Sequence, residues 1–502
     1  MAGELVVGVD LGTTALKGGL FDLDGNLLGV AESGYPILRP GPDRAEHDPA
    51  AWLTALEEVL AALAGSADSR QAAAIGICSQ VNTHVFVDAR GEPLRPAILW
   101  QDQRCAEVAG ELTERLAAAA PATAKRFAFA PSFAVPRAEW VRREEPDLWE
   151  RTRFMLSPKD FVAMHLCRLD TPRSDSVGSF DLVDEAGGYD PDLLALVEGL
   201  AQRLPLLERF DAPIGTVERR DLPLIAGATV VAGTMDAWGN LYGSGVVEHG
   251  QAMEVAGTSE ILGVLSRERH PTPGVVSFFA IDGHHLHAGP TQAGGAALAW
   301  FAHVVGRPLE DVLVSAATVG AGSDTSIFLP HLLGERAPLW DSEVRGGFVG
   351  LGSDHSLAHL SRAVLEGVAY SARHLLEELE KAAGVEPTEL RASGGGSKSD
   401  LWCQIKADVL ARPIARVAVR QSGCLGAALI AAAGAGLVDG LAEAATRAVR
   451  VERVFDPGVD RERYDELYSV YRDLYLALRP AHAGLARLRR EAPIVLSSRG
   501  GR

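Results

Sequence analysis

Little in this 502-residue chain is cationic: lysine and arginine total 48 against 66 aspartates and glutamates, a formal net charge of −18 at pH 7. A surplus of that sign works against holding a nucleic-acid backbone or an anionic membrane surface, both of which need clustered cations. Cysteine is scarce as well. The five present, Cys78, Cys105, Cys167, Cys403 and Cys424, are odd in number and match no metal spacing, which fits a reducing compartment. Long hydrophobic runs are missing. The longest, Cys424 to Val438, is short and rich in Gly and Ala, as in a buried helix and unlike a membrane span. No basic stretch followed by an apolar one precedes the first strand. The expectation is a cytoplasmic protein that binds neither nucleic acid nor membrane.

What is present is globular: 47% hydrophobic and 23% charged residues, in a chain long enough for two large domains. It is organised around Val6-Val7-Gly8-Val9-Asp10-Leu11-Gly12-Thr13-Thr14-Ala15-Leu16-Lys17. A β-branched run ends in an Asp, a Gly and two hydroxyl residues follow, and a second half-apolar run reaches the turn Asp24-Gly25-Asn26. The pattern predicts a β-hairpin whose first turn offers backbone N–H groups and hydroxyls to phosphate oxygens. Asp10 is placed to hold Mg²⁺ and Lys17 to reach a phosphate as a point charge.

Strands and helices then alternate to about Val246. A helix is expected over Ala50–Ala64 with Asp48 as cap, a buried strand over Ala73–Cys78, and another at Thr229–Ala232 that ends in Gly233-Thr234-Met235-Asp236. The Gly-rich segment 239–250 reads as the domain boundary, with a hinge near residues 243–250. Beyond it, Ala252 to Leu265 repeats the strand, Gly-hydroxyl-hydroxyl turn and strand of the N-terminus. That echo suggests two related sheets. A long amphipathic helix is expected over Leu357–Ala383 and a loop at Gly394-Gly395-Gly396-Ser397-Lys398-Ser399. The loop is not a P-loop, because no Gly stands directly before its Lys. Asp22 to Asn26 is a turn and not a calcium loop, since Leu27 occupies the position that needs Gly. His284, His285 and His287 lack a fourth ligand.

Six segments occur in a telling order: Asp10-Leu11-Gly12-Thr13-Thr14, Trp100-Gln101-Asp102-Gln103-Arg104, Ala232-Gly233-Thr234-Met235-Asp236, Gly257-Thr258-Ser259, Gly334-Glu335-Arg336-Ala337-Pro338-Leu339-Trp340-Asp341, and Gly394 to Ser399. In these the chain resembles the FGGY carbohydrate kinases over about residues 5 to 475, and within them the ketose and polyol kinases, xylulokinases included. The resemblance implies an α/β protein of two actin-like (ribonuclease H-like) domains with ATP in the cleft. It places a sugar-binding domain at 1–246, an adenosine-binding domain at 247–480 and a loosely ordered tail at 481–502. It implies Asp236 as catalytic base, Asp10 and Asp236 as Mg²⁺ ligands, and Gln80, Asn82, Asp102 and Arg104 as sugar ligands. ATP would meet Gly12, Thr13, Thr14, Lys17, Gly257, Thr258, Gly294, Gly394, Gly395 and Gly396.

The substrates implied are ATP and a small-molecule sugar or polyol, foremost the ketopentose D-xylulose, with ribulose, erythritol and glycerol-like acceptors as alternatives. A homodimer is compatible with it. Val81-Asn82 stands where glycerol kinases of the family have Arg-Glu and xylulokinases usually Met-His, which argues against glycerol. The competing class is a non-catalytic, ATP-gated actin-like module, which would not need a carboxylate at Asp236.

Overall fold

The β-branched run at the N-terminus forms the strand Leu5–Leu11, buried along nearly its whole length, which pairs antiparallel with Ala15–Asp22 and parallel with Ala72–Ser79. This hairpin sits in a computed structural model that describes residues 4–67, 70–125 and 128–491. The strands of its sheet run in the order Pro213–Thr216, Thr229–Val231, Ala72–Ser79, Leu5–Leu11, Ala15–Asp22, Leu27–Gly34, with Thr234–Met235 also paired to Ala72–Ser79. Helix Pro49–Ala64 covers one face. It starts on Asp48, whose side chain accepts from Ala50 N, and it buries Trp52, Leu56, Val59, Leu60 and Leu63. Helix Ser422–Gly434 covers the other. Nearly all of its residues are buried, and its backbone lies so close that a Cβ on Gly8 would sit 1.8 Å from the Cys424 carbonyl oxygen. Residues 86–204 add a separate apolar cluster that includes Phe86, Leu112, Val135 and Leu193.

The chain divides into two compact units. The first runs to Val247 and takes in Phe278–Gly283 and Gln421–Arg450; the second holds Glu248–Ser277, His284–Arg420 and the chain from Val451. The second has its own sheet, ordered Val276–Ser277, His285–Thr291, Glu260–Ser266, Ala252–Ala256, Leu390–Ser393, Ile414–Val417, Val451–Phe455. From His285–Thr291 onward its pairings are antiparallel, antiparallel, parallel, parallel, antiparallel. The first sheet, read from Leu27–Gly34, has the same series. The echo seen in the two Gly-hydroxyl-hydroxyl turns thus extends to whole sheets. Helix Leu357–Ala383 spans the expected residues and packs the second core with Leu365, Val368, Leu375 and Leu379.

Three expectations change. Residues 239–243 are not linker but the end of a buried helix, Asp236–Gly243, whose glycines admit the neighbouring helix: a Cβ on Gly243 would meet Ser422 O at 1.8 Å. Gln421–Arg450 packs in the first unit, so no single break at 246 separates the two. The ordered chain also continues past 480: helix Arg461–Glu491 runs through Pro480, with Tyr464, Tyr471 and Ala486 buried along it. The remainder of the expected tail, 492–502, lies outside the described residues. Among the described residues no helix is long and apolar enough to cross a membrane, and all five cysteines are buried free thiols.

Candidate active site

In an open sheet with parallel strands, ligands gather where the carboxyl ends of those strands meet. In the first unit three such ends align. Asp10 is level with Cys78 on the neighbouring strand, Thr234 is level with Cys78 from the far side, and Met235 with Ser79. Asp10, Gln80 and Asp236 therefore leave adjacent strands at the same edge. The Cys78 thiol sits among these carboxylates. Burial first, then Asp10, Cys424 and Asp236, push it well above its ordinary pKa. Asp10 is itself raised, by burial against the pull of Lys17 and a hydrogen bond with Cys78. Lys17 lies directly opposite Asp10 in the hairpin, so the two side chains share a face.

The turn between them is pinned from three directions. Gly12 N donates to Ala15 O at 3.1 Å, and Tyr35 OH donates to Gly12 O at 2.6 Å. Gln80 Nε2 donates to Gly12 O at 3.3 Å and its Oε1 accepts from Thr13 Oγ1 at 3.2 Å. Trp100 Nε1 donates to the same Thr13 hydroxyl at 2.9 Å, which ties the Trp100–Arg104 segment to this turn. Thr14 stays exposed.

Gln80 and Asn82 line one cavity with Met235, the residue before Asp236. Asn82 has φ 56°, a left-handed conformation that Asn tolerates better than most residues. Asp102 and Arg104 are not brought to that cavity. Asp102 is fully buried and accepts from Ala45 N at 2.7 Å and from Arg104 Nε and Nη2 at 2.8 and 2.7 Å. Arg104 also bonds Glu46 at 2.7 Å and lies over the Trp140 ring. The pair is a knot inside the fold.

The cavity wall holds residues that sequence reasoning passed over. Lys159, buried in the first turn of helix Pro158–Cys167, lies 2.6 Å from Asp160 Oδ1 and 2.9 Å from Asp175 Oδ1, and donates to Ala232 O at 3.2 Å. Burial opposes its charge, but the two carboxylates outweigh burial and raise its pKa. Asp175 in turn accepts from Thr234 Oγ1 at 3.0 Å, so this charged chain braces the segment that delivers Asp236. A Lys-Asp pair opening an apolar helix was the available signal. Asp181, also in the wall, accepts from Ala134 N at 2.6 Å, and burial pushes its pKa up to about 6. A carboxyl raised in the fold is fully accommodated below its unfolded pKa, and stability is lost as pH rises through the folded value. Asp181→Asn is therefore expected to stabilise the protein at pH 7 by about 1–3 kcal/mol, with no gain left near pH 3. Denaturant titrations at the two pH values check this.

In the second unit the candidate nucleotide residues converge on one hairpin. Gly257 N donates to Ser259 O at 2.9 Å, while Gly295 N and Ala296 N donate to Gly257 O and Thr258 O at 2.8 and 3.0 Å. Gly294 has no room for a side chain, since a Cβ would lie 2.7 Å from the Ser259 carbonyl carbon. Gly394, at φ +80°, abuts Ala256 O, and Gly396 abuts the Ala256 side chain. Gly395 is exposed between them. The Gly334–Asp341 loop buttresses this arrangement: Glu335 accepts from Gln292 N at 2.5 Å and Arg336 donates to Thr291 O at 2.6 Å. His287, by contrast, is a satisfied core residue bonded to Ser266 and Ser277. Among the described residues no three His, Cys, Asp or Glu side chains cluster as a metal site.

Residues 5–240 match the model of the N-terminal domain of the FGGY family of carbohydrate kinases, and 252–435 that of its C-terminal domain. A xylulose kinase of Lactococcus lactis is 32% identical over 483 residues, covering 94% of this chain and 96% of that protein. Among solved structures, a xylulose kinase from Rhodospirillum rubrum superposes with a TM-score of 0.82 at 28% identity, covering 96% of this chain and 100% of that one. A ligand-bound xylulose kinase from Lactobacillus acidophilus has the same fold, with a TM-score of 0.86 at 24% identity over 96% of this chain and 100% of its own. The chain belongs to the FGGY family of carbohydrate kinases, with the actin-like fold of that family. It is a sugar kinase, a phosphotransferase with an alcohol group as acceptor.

Proposed function

We propose that this kinase transfers the γ-phosphoryl group of ATP to a primary hydroxyl of a ketopentose, D-xylulose before others. One observation carries the reading: Asp10, Gln80 and Asp236 emerge from adjacent strand ends, with Gln80 and Asn82 in the wall of a cavity beside Met235. In that site Asp236 accepts the proton of the sugar hydroxyl as its oxygen attacks the γ-phosphorus. The bond from that phosphorus to the bridging oxygen breaks, and ADP leaves. Lys17 and the N–H groups of the Gly12–Thr14 turn meet phosphate charge in the first unit. Gly257 and Thr258 do so in the second, where Gly294 and Gly394 to Gly396 let backbone come close to the nucleotide. Gln80 and Asn82 orient the sugar.

Mg²⁺ suits this donor set. It takes hard oxygen ligands, keeps waters, and needs only one or two carboxylates beside phosphate oxygens. Asp10 and Asp236 supply carboxylates, and Gly423 leaves space where a Cβ would come 2.7 Å from Asp10 Oδ2. When bound, the ion neutralises charge developing on the phosphates.

Two experiments test the reading. Sugar-dependent ADP release over D-xylulose, D-ribulose, erythritol and glycerol should give D-xylulose the highest kcat/KM and glycerol little; glycerol as the best acceptor overturns the pocket. Asn82→Gly keeps the left-handed backbone and removes the amide. It is expected to raise the sugar KM about tenfold or more, because the hydroxyl it met loses a partner, and to leave the ATP KM within twofold. An unchanged sugar KM removes Asn82 from the site.

A further inference from the structure

One buried ionic cluster takes no part in the scheme above. On the strand Ala252–Ala256, Glu254 is level with Leu262, and Glu260 is level with Ala256 on the partner strand. The two glutamates are thus diagonal neighbours on one face, just below the Gly257-Thr258-Ser259 turn. Both bond Lys406 Nζ, which arrives from helix Asp400–Leu410 and lies 4.7 Å from the Trp402 ring centroid. All three side chains are almost fully buried. Glu254 and Glu260 also pair with each other through their carboxyl groups. The helix carrying Lys406 opens on Ser399, the last residue of the Gly394–Ser399 loop, so the lysine ties that loop's helix to both strands of the Gly257–Ser259 hairpin.

We propose that Lys406 is a positioning residue for the nucleotide, holding the Gly257–Ser259 turn in register with the Gly394–Gly396 loop through Glu254 and Glu260. The proposal rests on the reading of these two segments as nucleotide-binding. Two carboxylates facing one ammonium, all three buried, carry one charge too many. The favourable state at neutral pH retains a proton on Glu260, which leaves the base of the turn neutral toward incoming phosphates. Burial pushes Glu260 up to about 8, Glu254 adds to the shift and Lys406 opposes it. Burial opposes the charge of Lys406, yet the two glutamates keep its pKa above the ordinary value. The groups facing Glu260 are Glu254 on the adjoining strand and Lys406 on the helix. Cys403, one turn earlier, faces Glu254, and Arg416 on strand Ile414–Val417 reaches Cys403. As pH rises past about 8 the Glu260 proton leaves, and the turn gains an unbalanced negative charge at its base.

The test measures ADP affinity by calorimetry on the full-length wild type, Lys406→Met and Glu260→Gln between pH 7 and 9. Wild-type affinity is expected to fall roughly tenfold over that range, the scale of a unit charge acting at about 10 Å across a protein-like dielectric. Glu260→Gln, which keeps the shape and cannot ionise, should match the wild type at pH 7 and stay flat to pH 9. Lys406→Met should bind ADP about tenfold or more weakly at pH 7 with unchanged affinity for the sugar alone, a split that general loosening would not produce. If Lys406→Met does not fold, the pH profiles of the other two proteins decide. Equal falls in wild type and Glu260→Gln, a wild type with no fall, or a folded Lys406→Met with wild-type ADP affinity each overturn the proposal. Wild type that binds ADP but releases none from ATP in the presence of any sugar overturns the kinase reading instead.

Discussion

Asp236→Ala is expected to lose about 10²–10⁴-fold in kcat for sugar phosphorylation, the usual cost of removing a positioned general base, while sugar and ADP affinities change by no more than a few-fold. Asp236 opens the helix Asp236–Gly243 and accepts from Ala237 N at 2.8 Å. That bond fixes the orientation of the carboxylate at the helix start. The chain before it is held by Thr234 on Asp175 and by Ala232 O on Lys159, so the carboxylate is delivered on a braced segment. Asp236→Asn retains the shape and separates proton acceptance from packing, and it should lose nearly as much. Steady-state ADP release, with thermal unfolding as the control for folding, checks both variants. Asp236→Asn turning over within a few-fold of wild type would falsify the assignment.

Periodicity and turn chemistry carried much of the fold. The first hairpin, helix Pro49–Ala64 under Asp48, and the full extent of Leu357–Ala383 follow from local signals: alternation, an N-cap, and an apolar stripe at helical spacing. The misreadings share a cause, which is distance along the chain. Gly239 and Gly243 look like linker residues in sequence. They are helical because a helix some 180 residues later presses on them: a Cβ on Gly426 of that helix would lie 1.7 Å from Gly239 O. Nothing near residue 421 announces that it returns to the first sheet.

The candidate site divides the same way. Asp10, Gly12 and Asp236 were legible because each lies at the end of an apolar strand run beside a Gly-Thr signature. Lys159, Asp175, Lys406, Glu254 and Glu260 were not, since a charged residue in an apolar stretch declares its burial but not its partner. Asn82 was read for its amide alone, and its left-handed backbone is a second reason for Asn at that position.

Asp102 and Arg104 show what a motif match can hide, and they set the other large effect. Burial opposes ionisation of Asp102, but Arg104 and the Ala45 N–H outweigh it and hold the carboxyl below its ordinary pKa. Such a group stabilises the fold above its unfolded pKa, and that contribution is lost as pH falls through the folded value, in the acid range below about 4. Asp102→Ala leaves the Arg104 guanidinium buried, with Glu46 as its remaining carboxylate, itself shared with Arg95. Removing one partner of a buried pair typically costs about 3–5 kcal/mol, because the other charge is left uncompensated. Equilibrium denaturation at pH 7 should show a loss of that order. Asp102→Ala/Arg104→Met should lose less than the sum of the two single variants, since the stranded charge is gone. Whatever fraction of Asp102→Ala folds should keep a near-wild-type sugar KM, as the carboxylate is turned inward to Ala45 and Arg104. A variant of full stability whose sugar KM rises tenfold would instead return Asp102 to the sugar.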